Sequence, residues 1–262
     1  MALLKQSIDD RDGRVPRRTP ARVAFGTGWL RNGPQELFAE SVRMYQPLLP
    51  VLDPGPGPLD SDHGLQVPPL PELRLHLGTV WSWNRAVYDP TEGGHLRIEM
   101  RALPAGPTVI DMLANAAFLL GLSLSLANED PSWSYVLSFE RAEHNFIEAA
   151  KHGLAAELSW PLVKPGKVST MTASRLVTQL LSRARDGLTH AGVTNAEADH
   201  LLSIVESRVA TGQTGAAWQR KMLADADQRL GREAAVAAMF QRYLQCAATG
   251  DPVHTWSTMP SL

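Results

Sequence analysis

Cysteine is nearly absent from this sequence: Cys246 is the only one in 262 residues. A lone thiol closes no intrachain disulfide, and Cys246 has no Cys or His partner at metal-ligand spacing. Neither a disulfide scaffold nor a cysteine-based metal cluster is available, and a reducing compartment, the cytoplasm, is the expectation. An excess of either charge is also missing. Lys and Arg number 25 against 27 Asp and Glu, a net charge of −2, so no bulk field draws the chain to nucleic acid or to an anionic membrane. The N-terminal stretch MALLKQSIDDRDGRVPRR holds no apolar core of signal-peptide length. The longest apolar stretch, 116–127, is interrupted by Gly121, Ser123 and Ser125 and reads as a buried helix instead of a membrane span. Internal repeats and low-complexity tracts are lacking too, and so is any Glu-x-Glu pair.

What remains is a chain with 44% hydrophobic and 20% charged residues, enough to bury a real core. A proline-rich stretch from Pro54 to Pro71 is too irregular for secondary structure and long for a connection, so an ordered loop or lid is expected there. Before it, 34–45 predicts a helix with proline in its first turn and Leu37, Val42 and Met44 turned partly inward. After it, 73–88 (LRLHLGTVWSWNRAVY) is read as a strand. The turn-like DPTEGG and a second strand, HLRIEMRAL, follow, giving a hairpin over 73–103.

The second strand alternates strictly. Leu96, Ile98 and Met100 point one way, toward a core, while His95, Arg97, Glu99 and Arg101 point the other. From Pro107 the periodicity becomes helical. An apolar helix over 111–127 comes first, expected to be central and buried all round, then helices near 139–152, 171–190, 195–210, 214–228 and 231–247. Thr194 and Glu197 stand at capping-box spacing before the stripe Ala198, Leu201, Leu202, Val205, Val209. The pattern predicts an α+β fold in one domain, 1–262, with a loop- and hairpin-rich portion over 1–107 and a helical portion over 108–262.

Arg, Glu and Arg on one strand face can serve chemistry. Two guanidinium groups hold phosphate or carboxylate oxygens by bidentate bonds, and the carboxylate between them can coordinate Mg²⁺ bridging those phosphates. The same row also fits a surface strand laced by cross-strand ion pairs. Arg85 beside two tryptophans is either a phosphate ligand or a surface arginine stacked on indole. His76 either touches nucleotide or is a hydrogen-bonded structural residue. Trp81 and Trp83 either floor a pocket or pack a core. The GQTGAAWQR segment does not match the phosphate-loop spacing, because Gly212 and Gly215 are too close, and it reads as a helix junction.

The segments HLGTVWSWNRAVYD (76–89) and HLRIEMRALPAGPTVIDMLANAAFLLGL (95–122) resemble the signature of bacterial proteins of the glutamate–cysteine ligase type 2 family. NFIEAAKHGLAAELSWP, GQTGAAWQR, DPVHTW, LLKQSIDDRDG and RVAFGTGW extend the resemblance over nearly the whole chain. This family is related to glutamine synthetase, whose late catalytic strand also carries Arg, Glu and Arg at alternate positions, then an Asp and an Asn. Here these match Arg97, Glu99, Arg101, Asp111 and Asn115. The resemblance implies a partial antiparallel sheet of the glutamine-synthetase type, backed by the helical C-terminal region. It implies Glu99 as a Mg²⁺ ligand, Arg101 on an acyl phosphate or substrate carboxylate, Arg85 on the ATP phosphates, and Arg97 and His76 as lesser members of the site.

The implied activity is ATP-dependent ligation of a glutamate-like γ-carboxylate to an amine, as in glutathione biosynthesis, with small-molecule substrates and neither nucleic acid nor membrane as partner. Family members are longer, and their N-terminal half carries the Glu-x-Glu strand that holds Mg²⁺ opposite this one. The expectation is therefore that this chain is a C-terminal part of the catalytic unit, completed by a homo-oligomer or a separately encoded N-terminal half. Two alternatives stand beside it: a noncatalytic subunit that binds a partner supplying the missing half, and a small-molecule-binding module that keeps the Arg–Glu–Arg face for an anionic ligand without doing chemistry. Asp60 with Asp62, and Glu197 with Asp199, are poor substitutes for the missing pair.

Overall fold

A computed structural model of the chain describes residues 7, 9, 11, 20–49, 67–128, 133–161 and 167–257. The proline-rich loop, up to 66, and the Asp60–Asp62 pair lie outside the described residues. The described chain is α+β and divides into two compact units, 1–102 and 103–262.

In the first unit, β1 (Val23–Ala24) runs parallel to β2 (Trp81–Ser82). Helix α1 spans Gln35–Met44, with Pro34 at its N-cap and not in the first turn as expected, and Glu36 accepts the backbone N–H groups of Arg31 and Asn32 at 2.9 Å each. Val42 is exposed instead of buried, and Ser41 is the residue of α1 that is buried. The segment expected as a first strand is different. Residues Pro71–Gly78 form helix α2, carrying His76, and strand structure begins only at Trp81. Pro71 stands in the first turn, where its missing N–H costs nothing, and Leu, Arg and Leu are good helix formers. The alternation of LRLHL was too short to decide between the two periods.

The hairpin itself is β3 (Asn84–Asp89) with β4 (His95–Met100), antiparallel, with Arg85 opposite Glu99, Val87 opposite Arg97 and Asp89 opposite His95. Pairing continues one step further, since Arg101 N donates to Trp83 O at 2.9 Å. The turn places Glu92, Gly93 and Gly94 at positive φ, and two of these three are the glycines suited to it. The alternation is as read, but the apolar face is not a core: Leu96 is 53% and Ile98 46% exposed.

The second unit is built on α3 (Val109–Ala127), capped by Thr108. It is followed by α4 (Trp133–Val136), α5 (Phe139–His152), β5 (Glu157–Pro161), β6 (Val168–Thr172), α6 (Ala173–His190), α7 (Asn195–Thr211), α8 (Gly215–Leu230) and α9 (Arg232–Thr249). The long helices fall within about two residues of where the periodicity places them, although 171–172 belong to β6 and the short α4 was not expected. Thr194 caps α7 by accepting from Glu197 N, and Gly212 ends it in the left-handed conformation. Thr214 opens α8, so GQTGAAWQR is a helix junction. The antiparallel β5–β6 ladder within the helical portion was not anticipated. Asn145 of α5 secures it by exchanging hydrogen bonds of 2.7 and 2.8 Å with the backbone of Ser159.

Helix α3 is central but not buried all round. Its small face, Ala114, Ala117 and Gly121, lies against α6 and α7, while Val109, Leu113 and Leu120 are exposed. The approach to α6 is backbone to backbone: a Cβ on Gly187 would fall on the Gly121 carbonyl, and one on Gly121 would fall on the Ala184 carbonyl. Small residues on one face let these two helices close to contact distance, with Ile110, Phe118 and Leu122 packed on the core beside them.

Candidate functional site

The β3–β4 register brings three of the expected residues together. Glu99 Oε2 lies 2.6 Å from Arg85 Nε and 3.1 Å from Arg101 Nε. Only the second of these has hydrogen-bond geometry. Arg101 is the more enclosed cation, its side chain 11% exposed, and its guanidinium carbon sits 4.4 Å from the Trp81 ring centroid. Stacking on indole suits a weakly hydrated planar cation. Burial, and then the neighbouring Arg85 charge, pull the Arg101 pKa below the usual arginine value, against Glu99, which holds it up. Two positive groups thus share one carboxylate, and Arg101 Nη1 is a buried donor without an acceptor.

Arg97 shares the face but serves another group. Its Nη1 donates to Asp89 Oδ2 at 3.1 Å and to His95 Nε2 at 2.7 Å. Asp89 is held well below the usual carboxylate range, first by the Thr91 hydroxyl, then by the Thr91 backbone N–H, then by Arg97. His76, on α2 and not on a strand, bonds Ser41 O through Nε2 at 2.9 Å. It borders a cavity of about 520 Å³ lined by Val42, Tyr45, Leu73 and Leu75, which is almost wholly apolar.

Asp111 and Asn115 belong to the second unit and are committed to its interior. Asp111 is completely buried. Its Oδ1 accepts from Arg208 Nη2 at 2.7 Å, and its Oδ2 accepts from Thr108 Oγ1 at 2.9 Å and Val253 N at 3.0 Å. Asn115 Oδ1 accepts from Arg208 Nη1 at 2.5 Å. Asp111 therefore ties α3 to α7 and to the DPVHTW segment. Gln213 adds a second tie, donating to the carbonyls of Val253 and Trp256 at 2.8 Å each. Trp218 is buried in an aromatic cluster, edge-on to Trp256 with centroids 5.3 Å apart, while Arg220 is exposed. Arg208 was missed in the sequence. Its signal is Asp111 itself, an acid in an otherwise uncharged helix, which cannot be buried without a cationic partner.

Glu197 and Asp199 sit on α7, and Asp199 is spent on Arg185. Among the described residues, no three His, Cys, Asp or Glu side chains cluster closely enough to hold a metal ion. Among the described residues, Glu99 is the carboxylate shared by Arg85 and Arg101, and Asp89, bonded to Arg97, is the other on this hairpin face.

A family model, glutamate-cysteine ligase family 2 (GCS2), matches residues 78–241, more than half of the chain. The chain belongs to glutamate-cysteine ligase family 2. No curated protein and no solved structure matches it. The GCS2 match takes in β2, the β3–β4 hairpin and the helices as far as α9, so Arg85, Glu99, Arg101, Asp111 and Arg208 all fall inside it, whereas His76 precedes it. Membership of GCS2 makes this a protein of the carboxylate–amine ligase kind, one that acts on small molecules. Helix α3 is long and apolar enough to cross a membrane by length and composition, but in the structure it packs against α6 and α7.

Proposed function

We propose that the β3–β4 face is the anion-handling half of an ATP-dependent glutamate–cysteine-ligase-like site. The observation that carries this reading is the convergence of Arg85 and Arg101 on the single carboxylate of Glu99. Two guanidiniums against one carboxylate leave positive charge unbalanced, in a partly enclosed place where it acts more strongly than in water. The match to a ligase family supports the same reading.

In the reaction, a γ-carboxylate oxygen of a glutamate-like substrate attacks the terminal phosphorus of ATP, and the bond to the ADP oxygen breaks. The amine then attacks the acyl carbon. A C–N bond forms, phosphate leaves with the C–O electron pair, and the amine gives up a proton. Arg85 holds the ATP phosphates, and Arg101 holds the transferring phosphoryl group or the substrate carboxylate, both by charge-assisted bonds. Arg97, oriented by Asp89, extends the positive face. His76 is left with a structural role through Ser41.

Mg²⁺ fits this donor set only in part. Glu99 offers one carboxylate, which suffices where phosphates and water supply the other oxygens, as is usual for this ion. Bound there, Mg²⁺ would neutralise phosphate charge. Glu99 meanwhile keeps Arg85 and Arg101 in place. Among the described residues no metal-binding cluster joins Glu99, and a second copy or a partner polypeptide is the proposed source of further carboxylates, with the exposed Leu96 and Ile98 as apolar surface for it to cover. The buried free thiol of Cys246 agrees with a cytoplasmic setting.

The test is phosphate release with ATP, Mg²⁺, glutamate and a panel of amines, run on this chain and on a form extended with upstream sequence. Turnover abolished by Glu99→Gln is the expected result. Anion binding without turnover in either form would reduce the site to a binding module and sink the ligase reading.

A further inference from the structure

Trp81 carries the ring on which Arg101 rests, and each side chain keeps one buried donor without an acceptor. A tryptophan packed simply as core finds an acceptor for its indole N–H. Trp81 Nε1 is buried without one, and so is Arg101 Nη1 on the guanidinium stacked above it. Arg85 Nε, close to Glu99 as an ion pair, also makes no hydrogen bond. Native interiors leave few such donors unpaired, and three on Arg101, on the Trp81 ring it stacks on and on Arg85, which shares Glu99 with it, ask for a shared explanation. The missing partner is rich in acceptors and has few donors, which describes an oxyanion, either a phosphate or a carboxylate. A neutral N–H is a suitable third donor, because a further cation would add to the repulsion between Arg85 and Arg101.

We propose that Trp81 completes an oxyanion site: its ring face fixes the plane of the Arg101 guanidinium, and its indole N–H bonds the phosphate or carboxylate that Arg85 and Arg101 hold. This rests on the ligase reading for the origin of the anion, but the binding itself requires no turnover. Trp81 is then both a ligand to the anion and a positioning residue for Arg101.

The experiment is calorimetric titration of the full chain at pH 8 with inorganic phosphate and, separately, with glutamate, for wild type, Trp81→Phe, Trp81→Leu and Trp81→His. Phe keeps a ring face and loses the N–H, Leu loses both, and His restores a ring N–H. Loss of one charge-assisted hydrogen bond corresponds to about tenfold weaker binding for Trp81→Phe. Trp81→Leu should bind at least as weakly, and Trp81→His should recover part of the affinity. A loss confined to phosphate assigns Trp81 to the phosphoryl side, and one confined to glutamate assigns it to the substrate carboxylate. Thermal unfolding accompanies each titration, and if Trp81→Leu does not fold, the Phe and His variants decide. The proposal is overturned if folded Trp81→Phe binds both anions as wild type does, or if wild type binds neither. Absence of ATP-dependent phosphate release alongside Trp81-dependent anion binding would end the ligase reading and leave this one standing.

Discussion

Arg85 and Glu99 are direct cross-strand partners, with Arg85 Nε 2.6 Å from Glu99 Oε2. The same oxygen receives Arg101 Nε at 3.1 Å, so one carboxylate orients two cations. Replacing Glu99 by Gln removes the negative charge and lets Arg85 and Arg101 repel each other. Mg²⁺-ATP affinity should fall by about tenfold or more, since an amide cannot supply carboxylate charge to a phosphate-bound ion. Arg97→Gln should change it far less, because Arg97 is turned to Asp89 and His95. Equal affinities in wild type and Glu99→Gln by calorimetry would remove Glu99 from the metal.

Asp111→Asn should be among the most damaging changes in the second unit. It leaves the Arg208 guanidinium without its buried countercharge, a loss of about 3–5 kcal/mol for a broken buried pair. Urea unfolding measures it. Asp111→Leu combined with Arg208→Leu should cost less than the sum of the single changes, because no unpaired charge remains. Additivity would show that the pair acts independently.

Gly187→Ala puts a methyl group on the Gly121 carbonyl, where α3 and α6 meet backbone to backbone. The helices must separate, and overpacking of this kind costs about 1–3 kcal/mol. Although alanine favours helix, the melting temperature should fall. A rise would mean that the two helices are less closely apposed.

His254 predicts a pH dependence of stability. Burial lowers its pKa from the ordinary 6.5, Asp111 pulls it up and Arg208 pushes it down, with burial the largest effect. The unfolded chain then binds the proton more readily. The stability contribution is fully present above pH 6.5 and is lost as pH falls from there toward the folded pKa. His254→Gln should flatten the fall in melting temperature between pH 7 and 5. An unchanged slope would assign that dependence to other groups.

The charged face of β4 was legible because a strand with period two and alternating Arg, Glu and Arg admits one arrangement of side chains, whatever it packs against. Its partner strand was legible only in part. Asn84–Asp89 pairs as expected, but Pro71–Gly78 is a helix, and LRLHL alone could not tell the two periods apart. The alternation put Arg97 on the same strand face as Arg101, and the resemblance made it a lesser member of the site. The difference comes from Asp89, which sits opposite His95 across the hairpin and captures Arg97, whereas Trp81 and Glu99 capture Arg101.

The sequence by itself carries the starts of five helices of the second unit, since Thr108, Ser138, Thr172, Thr194 and Thr214 are caps whose hydroxyls accept backbone N–H groups within three residues. It also determined which side chains share the β4 face. Only the tertiary structure decided the partners. Asp111 finds Arg208, 97 positions away, and Gln213 finds Val253 and Trp256, because burial obliges polar groups to pair with whatever the packing brings near. Packing likewise decided that Ala114, Ala117 and Gly121 of α3 are buried, with Ile110, Phe118 and Leu122 packed beside them, while Val109, Leu113 and Leu120 stay exposed. Hydropathy ranks the large residues as core, but the close approach of α3 to α6 at Gly121 and Gly187 requires residues with no side chain in the way.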